Sequence, residues 1–184
     1  MLVPDAIIPP RPGPDYKSFI DVNLGKRDNN ALCIAHLEGD RIVVDLLRSW
    51  SSSSNRDEIP AETARVIRSY GLESVTGDRV AGDWAISEFG KHGVRLVQDA
   101  PPKSELYIAL LAIVNHGAIG IPDNTTLVRQ LRLLERRPRA GRDWVDLPRG
   151  APEDESNVLA GVAHLLTTTE SSEDSGFLIG DALY

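Results

Sequence analysis

Ser18-Phe19-Ile20-Asp21-Val22-Asn23-Leu24-Gly25-Lys26-Arg27-Asp28 reads as a short apolar strand that carries a carboxylate and opens into a polar, Gly-bearing loop. The chain then re-enters a hydrophobic run at Ala31. A carboxylate at the end of an apolar strand is costly unless a cation or solvent meets it. Asp21 therefore gains meaning only if other groups converge on it.

Working outward, Ala31–His36 and Arg41–Leu47 are further β-type runs, with Glu38-Gly39-Asp40 as a hairpin turn between them. Three consecutive antiparallel strands are expected. Helices are expected from Pro60 to Tyr70 with Gly71 as the stop, over Gly82–His92 ending at Gly93, and over Lys103–His116 ending at Gly117. Short strands fall between them at Glu73–Thr76, Val94–Val97 and Ile119–Ile121, the last as an edge strand. Asp123 or Asn124 caps a helix with Leu127, Leu131 and Leu134 on one face, Trp144–Leu147 is a short strand, and a last helix covers Glu153–Leu166. Strands first, then helices alternating with strands, describe an α/β class: a mixed central sheet flanked by helices.

The Pro-rich residues 1–17 read as a linker or domain edge, 18–168 as the globular domain and 169–184 as an acidic, flexible tail. A chain of 184 residues can bury a proper core, and it contains no apolar run of membrane-spanning length and no secretory h-region. Cys33 is alone, which excludes a disulfide framework and suits a reducing cytoplasm. It reads as a small buried hydrophobe, and His36, His92, His116 and His164 as structural residues. The net charge of −7 argues against a nucleic-acid partner, but its distribution does not. Arg129, Arg132, Arg136, Arg137, Arg139, Arg142 and Arg149 crowd one segment, whereas no Lys or Arg follows Gly150. That fits a basic face beside an acidic site.

Three carboxylates sit at the rims of hydrophobic elements from distant segments. Asp21 ends the first strand, Asp78 ends Glu73–Thr76, and Asp154 lies one turn before Val158 at the start of the last helix, with Glu153 beside it. Hard ions such as Mg²⁺ take oxygen ligands of this type, and two ions about 3.5–4 Å apart can hydrolyse a phosphodiester. The same residues also have plain structural readings: Asp78 as a turn residue, Glu153 and Asp154 as complements of the helix dipole, Asp28 as a solvated loop charge.

In Phe19-Ile20-Asp21 with Leu32–His36, Val75 through Gly82, Lys103-Ser104-Glu105-Leu106-Tyr107, Leu127 through Arg137, Gly141-Arg142-Asp143 and Gly150 through Gly161, the chain resembles the C-terminal nuclease domain of the large terminase subunit of tailed bacteriophages and prophages. The resemblance runs from about Tyr16 to Leu166. It implies an RNase H-like fold and a metal-dependent endonuclease that cuts concatemeric double-stranded DNA in a bacterial cytoplasm. It implies Asp21, Asp78 and Asp154 as catalytic metal ligands, Glu153 and Asp28 as further metal residues, and two Mg²⁺ or Mn²⁺ ions as cofactors. DNA contacts are expected from Arg129, Arg132, Arg136, Arg137, Arg142 and Lys103. Implied partners are a packaging ATPase domain or subunit, the small terminase subunit and the portal. Two positions depart from the family pattern: Pro152-Glu153-Asp154 stands where His-Asp-Asp is usual, and Val22-Asn23-Leu24 follows Asp21. No Gly-x-x-x-x-Gly-Lys-Ser/Thr phosphate loop is present, so the motor itself is not here. A junction resolvase or transposase-type nuclease of the same fold, and a DNA-binding or assembly module with little catalysis, stand as alternatives.

Overall fold

The computed structural model describes residues 2–3, 8–22, 29–51, 58–78, 82–139 and 142–174. A seven-stranded sheet runs in the order β1-β7-β4-β3-β2-β5-β6. Its strands are β1 (Leu2–Val3), β2 (Lys17–Asp21), β3 (Asn30–Glu38), β4 (Arg41–Trp50), β5 (Ser74–Gly77), β6 (Arg95–Val97) and β7 (Ile119–Pro122). β2, β3 and β4 are antiparallel neighbours, whereas β5 joins β2, and β6 joins β5, in parallel. The expected mixed α/β sheet is the one observed.

Alternate residues on β2 and β3 feed two separate cores. Phe19, Ala31, Cys33 and Ala35 pack with α3 (Lys103–Asn115), α4 (Thr125–Arg132) and α5 (Asp154–Asp174). Ile20, Leu32 and Ile34 pack with α1 (Glu58–Ser69) and α2 (Gly82–Lys91). Asp21 follows Phe19 by two residues, so it faces the α5 side. Cys33 is fully buried and burial pushes its thiol pKa up, which leaves it an inert core residue.

Four local features differ from the sequence expectation. β7 is not the sheet edge, because β1 pairs outside it. α4 begins on the Asn124 cap, whose Oδ1 accepts from Leu127 N at 3.0 Å, but stops at Arg132, before Leu134. The next residues form β8 (Glu135–Arg139), which pairs with β9 (Arg142–Asp146) as a separate ribbon. The expected strand at Trp144–Leu147 corresponds to β9, two residues earlier, whereas β8 was hidden because an Arg-rich run with Pro138 carries no apolar alternation. α5 continues to Asp174 instead of ending at Leu166, and the Thr167 and Thr168 hydroxyls bond back to helical carbonyls.

Residues 8–16 lie along the α1 side of the sheet. Ile8 N donates to Asp45 O at 2.9 Å, Tyr70 Oη donates to Ile8 O at 2.8 Å, and the Arg11 guanidinium pairs with Glu38. Beneath them His36 Nδ1 stands 2.6 Å from Asp45 Oδ2, both fully buried. Among the described residues no helix is long and apolar enough to cross a membrane.

Candidate metal centre

The parallel register of β2 and β5 sets Phe19 beside Thr76 and Ile20 beside Gly77. One step further along both strands come Asp21 and Asp78, so two carboxylates emerge side by side at the strands' C-terminal ends. That is where ligands sit in parallel sheets of this kind. Asn157 on α5 closes the pair from above. Its Nδ2 donates to Asp21 Oδ2 at 2.8 Å and to Asp78 Oδ2 at 3.2 Å.

α5 reaches Asp21 because Gly161 lets it lie flat on Phe19. A Cβ at Gly161 would stand 2.4 Å from two atoms of the Phe19 ring. Four helical residues advance by about 6 Å and two strand residues by about 6.6 Å. Gly161 over Phe19 therefore puts Asn157 over Asp21. Asp154 lies on the same helical face, three residues before Asn157, and is buried.

The electrostatics follow from this crowding. Asp21 is 3% exposed, and burial raises its pKa from 3.8 to about 6. The Lys103 charge and the Asn157 hydrogen bond pull it back, while the charges of Asp78 and Asp154 add to the rise. Lys103, the first residue of α3, places Nζ 2.7 Å from Glu153 Oε1 and 3.8 Å from Asp78 Oδ2. Burial alone would lower its pKa, but Asp21, Glu153 and Asp78 raise it above the usual lysine value. A cavity of ≈ 370 Å³ opens beside these groups, lined by Asp78, Pro102, Lys103, Trp144, Asp146 and Glu153 among others. Ser104 Oγ accepts from Val145 N at 2.9 Å and pins the β8–β9 ribbon to this rim.

The structure thus gathers Asp21, Asp78, Lys103 and the neighbours Glu153 and Asp154 from four separate stretches. Asp28 and the Arg142 side chain lie outside the described residues. Arg129 and Arg132 end α4, and Arg136 and Arg137 are exposed on β8, where Arg137 pairs with Glu135 at 2.7 Å. Arg137 stands across the ribbon from Trp144, which lines the cavity. Asn157 was not singled out from sequence. Its signal was the spacing of three from Asp154, which places both on one helix face.

Whether these residues suit a divalent ion can be judged from their chemistry. The donors are carboxylates and an amide, the oxygen set that hard ions take. Asn157 Oδ1 is buried without a hydrogen-bond partner, a spare oxygen in the same cluster. Against this, among the described residues no three Asp, Glu, His or Cys side chains stand close enough together to hold an ion as oriented. Asn157 and Lys103 occupy the facing oxygens instead. The chemistry fits, with the acids still engaged by their protein partners.

The sealed His36–Asp45 pair has no open side for a substrate. A larger cavity of ≈ 880 Å³, lined by Arg68, Glu73, Ile86 and Arg95 among others, lies at the opposite ends of β5 and β6, away from the acids.

The crystal structure of the large terminase nuclease from thermophilic phage G20c superposes with a TM-score of 0.75 at 19% identity, covering 89% of this chain and 92% of that one. The chain has the large terminase nuclease fold. The Thermus phage P74-26 large terminase nuclease domain gives a TM-score of 0.72 at 17% identity over 88% of both chains. The HK97 bacteriophage large terminase gives 0.68 at 16% identity, and there the match covers 86% of this chain but 40% of the other. The G20c nuclease is also known with bound magnesium, cobalt and zinc. No protein-family model and no curated protein matches the sequence. The mixed sheet is RNase H-like, with β2, β3 and β4 antiparallel and β5 and β6 extending it in parallel.

Proposed function

We propose that this chain is a metal-dependent endodeoxyribonuclease of phage DNA packaging, cutting concatemeric double-stranded DNA in a bacterial cytoplasm. The observation that carries this reading is the Asp21–Asp78 pair at the ends of parallel β2 and β5, in a fold shared with terminase nucleases. In this reading Asp21, Asp78 and Asp154 hold two ions, Mg²⁺ or Mn²⁺, and Glu153 assists. Bound ions supply Lewis acidity and an activated water for in-line attack on the phosphodiester.

The chain's own residues do the rest. Asp21 and Asp78, fixed by strand register, orient the ligand oxygens without side-chain search. The apolar underside formed by Phe19 and Val158 excludes water from below the site. Arg136 and Arg137 on the ribbon meet DNA phosphates beside the cavity, which gives affinity without base reading. A packaging ATPase supplies DNA movement, since the chain matches 40% of the HK97 large terminase. The small terminase subunit and portal belong to the same assembly in this reading.

The decisive experiment is nicking of supercoiled plasmid with Mn²⁺, repeated with EDTA and with Asp21→Asn. Cleavage that needs both the metal and Asp21 supports the proposal, and EDTA-resistant or Asp21-independent cleavage refutes it. A second reading, a DNA-binding or assembly module with little catalysis, is favoured by the engagement of Asp78 and Glu153 with Lys103. DNA binding without metal-dependent nicking would select it.

A further inference from the structure

We propose that Lys103 is an exchangeable counter-cation of this centre: it gives up Asp78 and Glu153 to the incoming divalent ion and turns into the adjoining cavity to hold a DNA phosphate. The inference rests on the reading of Asp21, Asp78 and Asp154 as metal ligands. It goes further by assigning one side chain two successive partners.

Three observations converge on it. The Lys103 ammonium bridges acids from two different elements, Glu153 at 2.7 Å and Asp78 at 3.8 Å, and its charge also acts on Asp21. An ion that takes the Asp78 oxygen must therefore compete with a cation already there. Two like charges on one carboxylate repel, and each contact is worth more in this partly desolvated place than in water. Next, Lys103 is free to leave. It is the first residue of α3, its side chain is 35% exposed, and its four-carbon stem is flexible. Finally, there is somewhere to go. Lys103 also lines the ≈ 370 Å³ cavity between the start of α3 and the β8–β9 ribbon, on the side where Arg137 stands across from Trp144. An ammonium there faces whatever phosphate the ribbon guides in, and its departure from Glu153 frees the longer carboxylate at that position.

The arrangement couples the two ligands. Metal binding releases the lysine for DNA, and DNA bound to the lysine leaves the acids open to metal, as reciprocal linkage requires.

The test is calorimetric titration of MnCl₂ alone into wild type, Lys103→Met, Lys103→Arg and Asp21→Asn, followed by steady-state cleavage of linear duplex. Lys103→Met should bind Mn²⁺ several-fold tighter than wild type, while its KM for DNA rises several-fold. Lys103→Arg should stay near wild type in both. Mn²⁺ binding by Lys103→Met that is unchanged or weaker, with wild-type binding intact, overturns the exchange and leaves the metal centre standing. Absence of any Asp21-dependent Mn²⁺ binding in wild type overturns the metal centre and this inference together. Melting curves on each variant, with Lys103→Gln as a second neutral replacement, separate loss of fold from loss of exchange.

Discussion

Gly161 lies against the ring of Phe19 so closely that a Cβ there would stand 2.4 Å from it. This contact is the spacer that seats α5 on β2. One helical turn towards the N-terminus it delivers Asn157 to Asp21, and three residues further back comes Asp154. The site therefore depends on a residue that carries no chemistry.

Gly161→Ala should cost about 1–3 kcal/mol through overpacking at the Phe19 ring. Because α5 must lift, cleavage should fall more than stability does. Urea denaturation and plasmid nicking measure the two. An unchanged midpoint would show that the helix is not seated by this contact.

Asp21 sets a pH dependence. Its folded pKa, about 6, lies above the ordinary aspartate value of 3.8, so the folded protein holds a proton that the unfolded chain has released between those values. The Asp21 contribution to stability is then greatest at acid pH and falls as pH rises from about 4 through about 6. At neutral pH the buried charge costs on the order of 3 kcal/mol, from about two pKa units at 1.36 kcal/mol each. Asp21→Asn should stabilise the metal-free protein at pH 7 and flatten its stability between pH 4 and 6. A less stable Asp21→Asn at pH 7 would contradict the assignment of Asp21 as a strained, functional charge.

Metal should relieve the same strain. At pH 7.5, Mn²⁺ should raise the melting temperature of wild type by mass action, and the increment should shrink at pH 5.5 as Asp21 takes up its proton. Asp21→Asn should show little increment at either pH. Differential scanning calorimetry with and without EDTA gives the readout, and an increment indifferent to both pH and Asp21 would point to binding elsewhere.

Asn157→Ala removes the donor shared by two carboxylates. The pairs involve charged acceptors in a buried setting, so the loss should cost about 1.5–3 kcal/mol. The Asp21 pKa should move further up, since the Asn157 hydrogen bond is one of the influences that lowers it. NMR titration of the Asp21 carboxyl carbon would detect this, and a downward shift is incompatible with the geometry described.

Arg136→Ala and Arg137→Ala test the ribbon. Each lost phosphate contact should lower the slope of log K against log salt by about 1 and weaken binding uniformly across sequences. Fluorescence anisotropy over a salt series measures it. The Arg137–Glu135 pair is exposed, so its loss should leave stability within about 0.5 kcal/mol. Unaltered salt slopes in both variants would remove the ribbon from the DNA path.

The sequence alone established the order and kind of the main elements. Ser18–Val22, Ala31–His36 and Arg41–Leu47 announce strands, and Gly71, Gly93 and Gly117 end helices with φ of +75°, +67° and +69°, because periodicity and turn chemistry are properties of chain neighbours. It also marked Asp21, Asp78 and Asp154 as acids at the rims of apolar runs. Of the β8–β9 ribbon only the second strand was legible, at Trp144–Leu147, since Arg136, Arg137 and Pro138 in β8 carry no apolar alternation. What tertiary structure decided was adjacency. Parallel pairing puts Asp78 beside Asp21, and one amide on α5 bridges them across 136 and 79 residues of chain. Lys103 likewise meets Glu153 across 50 residues. Contacts of that span are set by strand register and by how closely a helix may approach a sheet, and no local pattern in the chain encodes either.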